Sequence, residues 1–335
     1  MTSELLDRAR AGDREAFAEL VDPHRSELQV HCYRMLGSLQ DAEDLLQESL
    51  LAAWVGLEGF ESRSSLRTWL YRIATNRCLN QLRSAKRRPV PATPLPVAPP
   101  EPTGLGEVFW LQPYPDALLD GMPDQSPGPE ARYESREAIS LAFVTAVQLL
   151  PPTQRAVLLL RDVLGYRAAE TGDLLGLTTD AVTSALKRAR ANVAIRQRPG
   201  PPPPTAGGPE ERQLLERFVT AFTELDVDEL ISLMTDDVWV RMPPALFEYR
   251  GTEAARRFFT AVDVHRRETD LMVPIRANGQ PGWGEYRRDP VTGLLHLAGI
   301  EVVGIAEGRI SEITRFENTV AAHFGLPRTL APIDG

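Results

Sequence analysis

Residues 63–88 read RSSLRTWLYRIATNRCLNQLRSAKRR. The stretch contains Arg63, Arg67, Arg72, Arg77, Arg83, Lys86, Arg87 and Arg88 and no carboxylate, in a chain of net charge -9. Such a local reversal of sign asks for a polyanion. Leu66, Trp69, Leu70, Ile73, Ala74, Cys78 and Leu82 recur at three- and four-residue steps, which predicts a helix with one buried face and with the arginines, Asn76 and Asn80 outside it. Cations hold phosphates, aromatic rings give unpaired bases a stacking surface, and amides read base edges. A charge run alone also fits the solvated face of a helical hairpin, so the flanking segments have to decide.

The 335 residues suffice for two to three domains at roughly 150 residues each. No apolar run approaches the roughly 20 residues that span a membrane, and the charged, helically patterned N-terminus does not read as an export signal. A cytoplasmic protein is expected. Cys32 and Cys78 sit on apolar helical faces without CxxC or His-rich company, so buried reduced thiols are expected, with no metal and no cofactor.

Residues 1–60 carry a helical period, which Asp22-Pro23 is expected to break. Asp41 is read as the cap of a helix, DAEDLLQESLLAAW, with Leu45, Leu46, Ser49, Leu50, Ala53 and Trp54 inward. Asp41, Glu43, Asp44, Gln47 and Glu48 form its polar, mostly acidic outer face. An acidic helix followed by a basic one, HCYRMLGSLQDAEDLLQESLLAAW and then GFESRSSLRTWLYRIATNRCLNQLRSAKRR, resembles domain 2 of the extracytoplasmic-function sigma factors, within the sigma-70 family. The resemblance covers most of residues 13–88. It implies that Asp41, Glu43, Asp44, Gln47 and Glu48 dock on the beta-prime clamp helices of core RNA polymerase. It further implies that the loop 60–65, with Ser64, receives a base flipped from the -10 element. Arg67, Trp69, Arg72, Asn76, Asn80 and Arg83 would hold the melted strand.

Residues 89–130 are proline-rich, hold no Lys or Arg, and carry Glu101, Glu107, Asp116, Asp120, Asp124 and Glu130. An extended or disordered acidic linker is expected. By the resemblance it would enter the polymerase cleft and RNA exit path; a solubilising tether is the other reading, for which Trp110 and Tyr114 are odd choices. From Ala131 the helical pattern returns. Ala169, Leu174 and Leu175 face Val182, Ala185, Leu186 and Ala189 across the turn Thr178-Thr179-Asp180, which predicts a helix-turn-helix. LPPTQRAVLLLRDVLGYRAAETGDLLGLTTDAVTSALKRAR also resembles sigma domain 4, implying a -35 element reader through Thr179, Thr183, Ser184, Lys187 and Arg188, and core polymerase, including its beta subunit, as partner. RQRPGPPPPTAGGP at 196–209 is a second linker.

The tail opens with helical periods at Leu214, Phe218 and Phe222, and then turns to strand patterns, VWVRMP, LMVPIRANG, GWGEYRR, LLHLAGIEVVGIAEGRI and EITRFEN, with a hairpin turn at Glu307-Gly308. This resembles a SnoaL-like cone fold, as carried by the G-type sigma subgroup. A small-molecule pocket in it would be lined by Trp239, Arg241, Phe247, Tyr249, Trp283, Tyr286, His296 and Phe316, with no acid at catalytic spacing to a partner.

The expected organisation is therefore multidomain. Two all-α sigma domains, a helical bundle (1–88) and a helix-turn-helix domain (131–197), are joined by the acidic linker (89–130). A Pro/Gly linker (198–209) leads to an α+β SnoaL-like regulatory cone (210–335). The expected function is an alternative sigma factor, not an enzyme, with core RNA polymerase and promoter DNA as partners and no membrane. The competing readings are a SnoaL-like enzyme with a sigma-derived targeting module, and a ligand-responsive repressor. The acidic helix and acidic linker count against a repressor, which needs neither.

Overall fold

The computed structural model describes residues 2–61, 64–85, 99–106, 111–119, 138–194, 205–263 and 271–332. Arg63, Lys86, Arg87, Arg88, Glu107, Trp110, Asp120, Asp124 and Glu130 lie outside them. The chain divides into two compact units, Met1–Pro89 with Leu118–Gln197, and Val90–Ala117 with Arg198–Gly335.

The first unit is helical. Its leading half comprises α1 (Thr2–Arg10), α2 (Arg14–Leu36), α3 (Leu39–Gly56) and α4 (Leu66–Ala85). Asp13 caps α2 by accepting from the amides of Glu15 and Ala16, and Gly37 ends it in the left-handed conformation at φ 74°. The expected break at Asp22-Pro23 is absent, because α2 runs straight through Pro23. Both residues are exposed, so the Glu19 carbonyl that loses its amide partner can turn to water. The cap of α3 is Ser38, which accepts from the Asp41 amide, rather than Asp41 itself; Asp41 stands in the first turn, where a negative charge is favoured.

Behind these come α5 (Leu141–Gln148), α6 (Pro152–Leu158) running into a π-helical turn at Leu159–Val163, α7 (Ala168–Leu175) and α8 (Thr179–Ala194). This half packs directly on α2 and α4. Arg34 donates to the Ala138 carbonyl at 2.9 Å, Gln148 donates to the Arg34 carbonyl at 3.0 Å, and Tyr71 meets Tyr166 edge-on at 6.0 Å. The buried Arg155 guanidinium donates to the carbonyls of Met35, Gln148 and Leu150 and to the Gln148 side chain. Cys32 and Cys78 are buried and hydrogen-bonded to each other, and burial pushes the Cys78 thiol well above its usual range.

The second unit holds α9 (Pro209–Thr223), α10 (Val227–Ser232) and α11 (Thr252–Asp263) on one face of a curved sheet. Its strands are β1 (Gly104–Leu105), β2 (Met234–Met242), β3 (Ala245–Arg250), β4 (Leu271–Ala277), β5 (Gln280–Arg288), β6 (Leu295–Ala306), β7 (Arg309–Phe316) and β8 (Thr329–Leu330). They are ordered β1-β3-β2-β7-β6-β5-β4, with β8 on β6. The β2–β7 pair is parallel and its neighbours are antiparallel. Glu307 and Gly308, at φ 55° and 69°, make the β6–β7 turn, the left-handed pair that a tight hairpin needs. Leu214, Phe218 and Phe222 of α9 pack with Val240, Tyr249, Trp283, Val303 and Ile313 of the sheet, Phe218 stacking on Trp283 at 5.4 Å. The first strand comes from the acidic linker, so this linker is not wholly a free tether.

Candidate nucleic-acid interface

Helix α4 turns Leu70, Tyr71, Ala74, Thr75, Cys78 and Leu79 inward. Its outer row is Arg72, Asn76, Asn80 and Arg83, all exposed and spaced so that they share one helical face. Arg83 donates to the Asn80 side-chain carbonyl at 3.2 Å, so the cation and amide act as one polar edge. Ser64, at the helix entrance, is exposed too.

Two expected members of that row are placed otherwise. Trp69 packs against Phe60 at 4.9 Å and joins a small core with Ala9, Ala16 and Leu57, so its ring supports α1 rather than standing clear as a stacking platform. Arg67 is clamped by Glu27 at 2.8 Å and lies over the Tyr71 ring at 4.8 Å. Burial opposes ionisation of the Glu27 carboxyl, but His24, whose ring nitrogen faces it at 2.8 Å, and Arg67 together hold it below its usual range. Beneath it, His31 is fully buried, faces the Thr75 hydroxyl at 2.9 Å and meets the Tyr71 edge at 5.1 Å. Burial, with Arg34 and Arg67 nearby, lowers its pKa to about 3. This polar floor under α4 escaped the sequence reading, because His31 sits in an apolar run and reads as core.

On α3, Asp44, Gln47 and Glu48 are exposed and Asp41 and Glu43 half-buried. Arg77 of α4 reaches Glu48 at 3.0 Å, joining the acidic and basic helices at one point. Leu51 and Val55, 64% and 74% exposed, extend the same face. Acidic residues beside exposed apolar ones have the anatomy of a protein-docking surface, an apolar centre with a charged rim.

In the helix-turn-helix, Leu174 and Thr171 pack toward Val182, Ala185, Leu186 and Ala189 of α8; Ala169, expected in the seam, is exposed, and Thr171 is buried instead. Gly172 is required, since a Cβ there would stand 2.6 Å from the Leu177 carbonyl oxygen. Thr179, Thr183, Ser184, Lys187 and Arg188 are all exposed on α8. Arg190, by contrast, is tied to Asp162 through two hydrogen bonds of 2.7 and 2.8 Å.

The expected cone-pocket residues are dispersed. Tyr249 and Trp283 are buried in the core beneath the helices, with Phe247 packed against it. Trp239 and Arg241 alternate with the core residues Val238 and Val240 and so point to the opposite sheet face, where Arg241 bonds Glu248 at 3.1 Å and lies over Trp239 at 4.3 Å. Phe316 is likewise out of phase with Ile313, and Tyr286 donates its hydroxyl to the Pro327 carbonyl at 2.7 Å. His296 is exposed. The sequence reading missed Glu285 and Glu301, both buried and in phase with Trp283 and Val303. Glu285 is paired with Arg287 at 2.9 Å and lies 3.5 Å from Arg315. The signal was available in that phase, since a carboxylate two residues from a core position shares its face.

Residues 20–88 match the family model for Sigma-70 region 2, residues 140–193 that for Sigma-70, region 4, and residues 215–313 that for the SnoaL-like domain. The ECF RNA polymerase sigma factor SigG of Mycobacterium tuberculosis is 42% identical over 329 residues, covering 96% of this chain and 86% of that protein. The chain belongs to the ECF RNA polymerase sigma factors. SigW of Bacillus subtilis, another ECF sigma factor, is 30% identical over 190 residues, 57% of this chain and 93% of that one. The crystal structure of the Mycobacterium tuberculosis ECF sigma factor SigJ superposes with a TM-score of 0.59 at 23% identity, covering 91% of this chain and 97% of that one, and so shares the fold. In this sigma factor the region 2 match spans most of α2 with α3 and α4, the region 4 match spans α5–α7 and all but the end of α8, and the SnoaL-like match spans the sheet from β2 into β7. No helix among the described residues is long and apolar enough to cross a membrane. Among the same residues, no group of His, Cys, Asp and Glu is arranged to hold a metal.

Proposed function

We propose that this ECF sigma factor docks on core RNA polymerase in the cytoplasm through the α3 face of Asp41, Glu43, Asp44, Gln47 and Glu48, and guides it to promoters with two DNA-reading surfaces. The observation that carries the reading is the adjacency of two exposed rows of opposite character: Asp44, Gln47 and Glu48, polar and mostly acidic, on α3, and Arg72, Asn76, Asn80 and Arg83 on α4. The first suits a basic helical protein surface. The second suits a single strand, with Arg72 and Arg83 on phosphates and the two asparagines on base edges. Ser64 stands where the strand would enter. Arg67 and Trp69 support this row from beneath rather than meeting the strand. On α8, Thr179, Thr183, Ser184, Lys187 and Arg188 present donors and a cationic end to a major groove at the -35 element.

The SnoaL-like domain serves this function as a regulatory module in the same chain rather than as a catalyst. Glu285 is tied into ion pairs with Arg287 and Arg315, which hold it in place of a mobile general base, and Phe218 and Trp283 fill the space beneath α9. Run-off transcription with core polymerase on a promoter library tests the whole reading. The full chain is expected to yield promoter-specific transcripts, and the Asp44→Lys/Glu48→Lys variant to lose polymerase binding by at least tenfold. Full polymerase binding by that variant would refute the docking surface.

A further inference from the structure

Helix α1 lies ahead of the region 2 match, which begins at residue 20, yet it is built into the corner through which the chain enters α4. Ala9 of α1 packs with Ala16 and Leu57, and Leu5, Leu6, Phe17 and Trp69 close around them. Leu57 opens the 3-10 turn Leu57–Gly59, and the Phe60 amide ends that turn by donating to the Leu57 carbonyl at 3.2 Å. The chain therefore passes from α3 toward α4 over a floor that α1 supplies.

Arg10, the last residue of α1, donates from its guanidinium to the Phe60 carbonyl, 50 positions along the chain. Asp7, 3.7 Å away and 71% exposed, is a weak counterion for it. A half-buried cation committed to a neutral carbonyl gives up hydration, and the result is a fixed position for Phe60. The far side of the corner is pinned as well. The Ser65 hydroxyl accepts from the Thr68 amide at 3.1 Å, and the Ser65 carbonyl accepts from the Trp69 amide at 3.1 Å. The rings of Phe60 and Trp69 join the two sides, 4.9 Å apart. Ser64 stands exposed beside them, at the head of the face that carries Arg72, Asn76, Asn80 and Arg83.

An extruded base gains most from a receptor that is already in place, since a rim that orders on binding gives back conformational entropy. We infer that Arg10 is a positioning residue for promoter opening: through the Phe60 carbonyl it holds ready the corner beside Trp69 that takes a base drawn out of the -10 element. This deepens the sigma-factor reading above and rests on it. Arg10 itself touches neither DNA nor polymerase. Loss of its bond weakens the capture of one base and leaves the α3 docking face as it is.

The test uses the full chain with core polymerase and a series of promoter duplexes, each lacking the base at one non-template position of the -10 element. The captured base is the one whose removal costs the native chain most open complex. Arg10→Ala is expected to reduce permanganate-reactive open promoter about tenfold on the intact duplex, and to cost nothing further on the duplex that lacks the captured base. Polymerase binding and the slope of log affinity against log salt are expected to stay at native values. A slope lower by about 1 would put Arg10 on a phosphate and overturn the inference. The same loss on every duplex also overturns it, because a damaged fold does not single out one base. Should the alanine variant unfold, Arg10→Lys carries the test. One ammonium in place of the planar fork is expected to cost about threefold on the intact duplex and nothing where the captured base is missing; native-like opening by Arg10→Lys then overturns the inference. A native chain that opens no promoter overturns the sigma-factor reading itself, whereas native opening with undiminished opening by Arg10→Ala overturns the positioning role alone.

Discussion

Acidification from pH 7 to pH 5 should weaken domain 2 through His31. Its folded-state pKa is about 3 against an ordinary 6.5, because burial disfavours the cation and Arg34 and Arg67 repel it, with Glu27 opposing. In the unfolded chain the ring takes up a proton below about pH 6.5, while in the folded chain it stays neutral down to about pH 3. The unfolded state therefore binds more protons throughout that window, and stability falls as pH falls. At pH 5 the loss is about 2 kcal/mol relative to neutral pH. Glu27, whose pKa is lowered from 4.5, contributes stability that is lost at lower pH, and His24 beside it is common to the native chain and the variant, so the comparison with a His31 variant separates the histidine. The assay is amide exchange of α2 and α4 at both pH values, in the native chain and in His31→Gln, which keeps polar groups for the Thr75 hydroxyl but does not titrate. The native chain should lose about 2 kcal/mol of local opening free energy that the variant keeps. An identical pH response in the two proteins would refute the reasoning. Since the ring faces Thr75 of α4, the Arg72–Asn76 row should loosen with it.

Gly172→Ala should lower the stability of domain 4 by about 1–3 kcal/mol, because the new methyl meets backbone and only a shift of the α7–α8 turn makes room; a thermal melt reads it, and an unchanged midpoint counts against the geometry. Lys187→Ala should weaken binding to a -35 duplex across sequences and reduce the slope of log affinity against log salt by about 1, measured by titration at several salt concentrations. Arg72→Ala/Asn76→Ala should leave polymerase binding intact and reduce permanganate-reactive open promoter by about tenfold, a loss of roughly 1.4 kcal/mol; equal reactivity would remove both residues from the strand interface.

Much of the helical unit was legible because burial in amphipathic helices is written in a period of 3.6. The stripes through α3, α4 and α8 needed no tertiary information. What failed there were positions decided by packing between elements. Trp69 carries the same letter whether it stacks on a base or on Phe60, and Pro23 reads as a break although an exposed helix can carry it. In the sheet, strands and the Glu307-Gly308 turn could be read, but the lining of the cone could not. Aromatic residues were taken for pocket walls without regard to phase, which put Trp239 and Phe316 on the wrong face and passed over Glu285 and Glu301. The seating of residues 99–119 was illegible for a further reason. A proline-rich acidic segment has no periodicity of its own, and its partner strand lies more than a hundred residues away.

Arg155 holds domain 4 to the last turn of α2 through neutral oxygens, and burial lowers its pKa from 12.5 to about 10. Burial therefore costs the Arg155 cation part of its hydration while the two halves of the helical unit are together, and water returns it when they part. The junction behaves like a loaded catch, firm because several carbonyls converge on one cation and easy to spring because that cation regains its hydration on release. Any partner that draws the two halves of the helical unit apart works with that regained hydration rather than against the full strength of the contact.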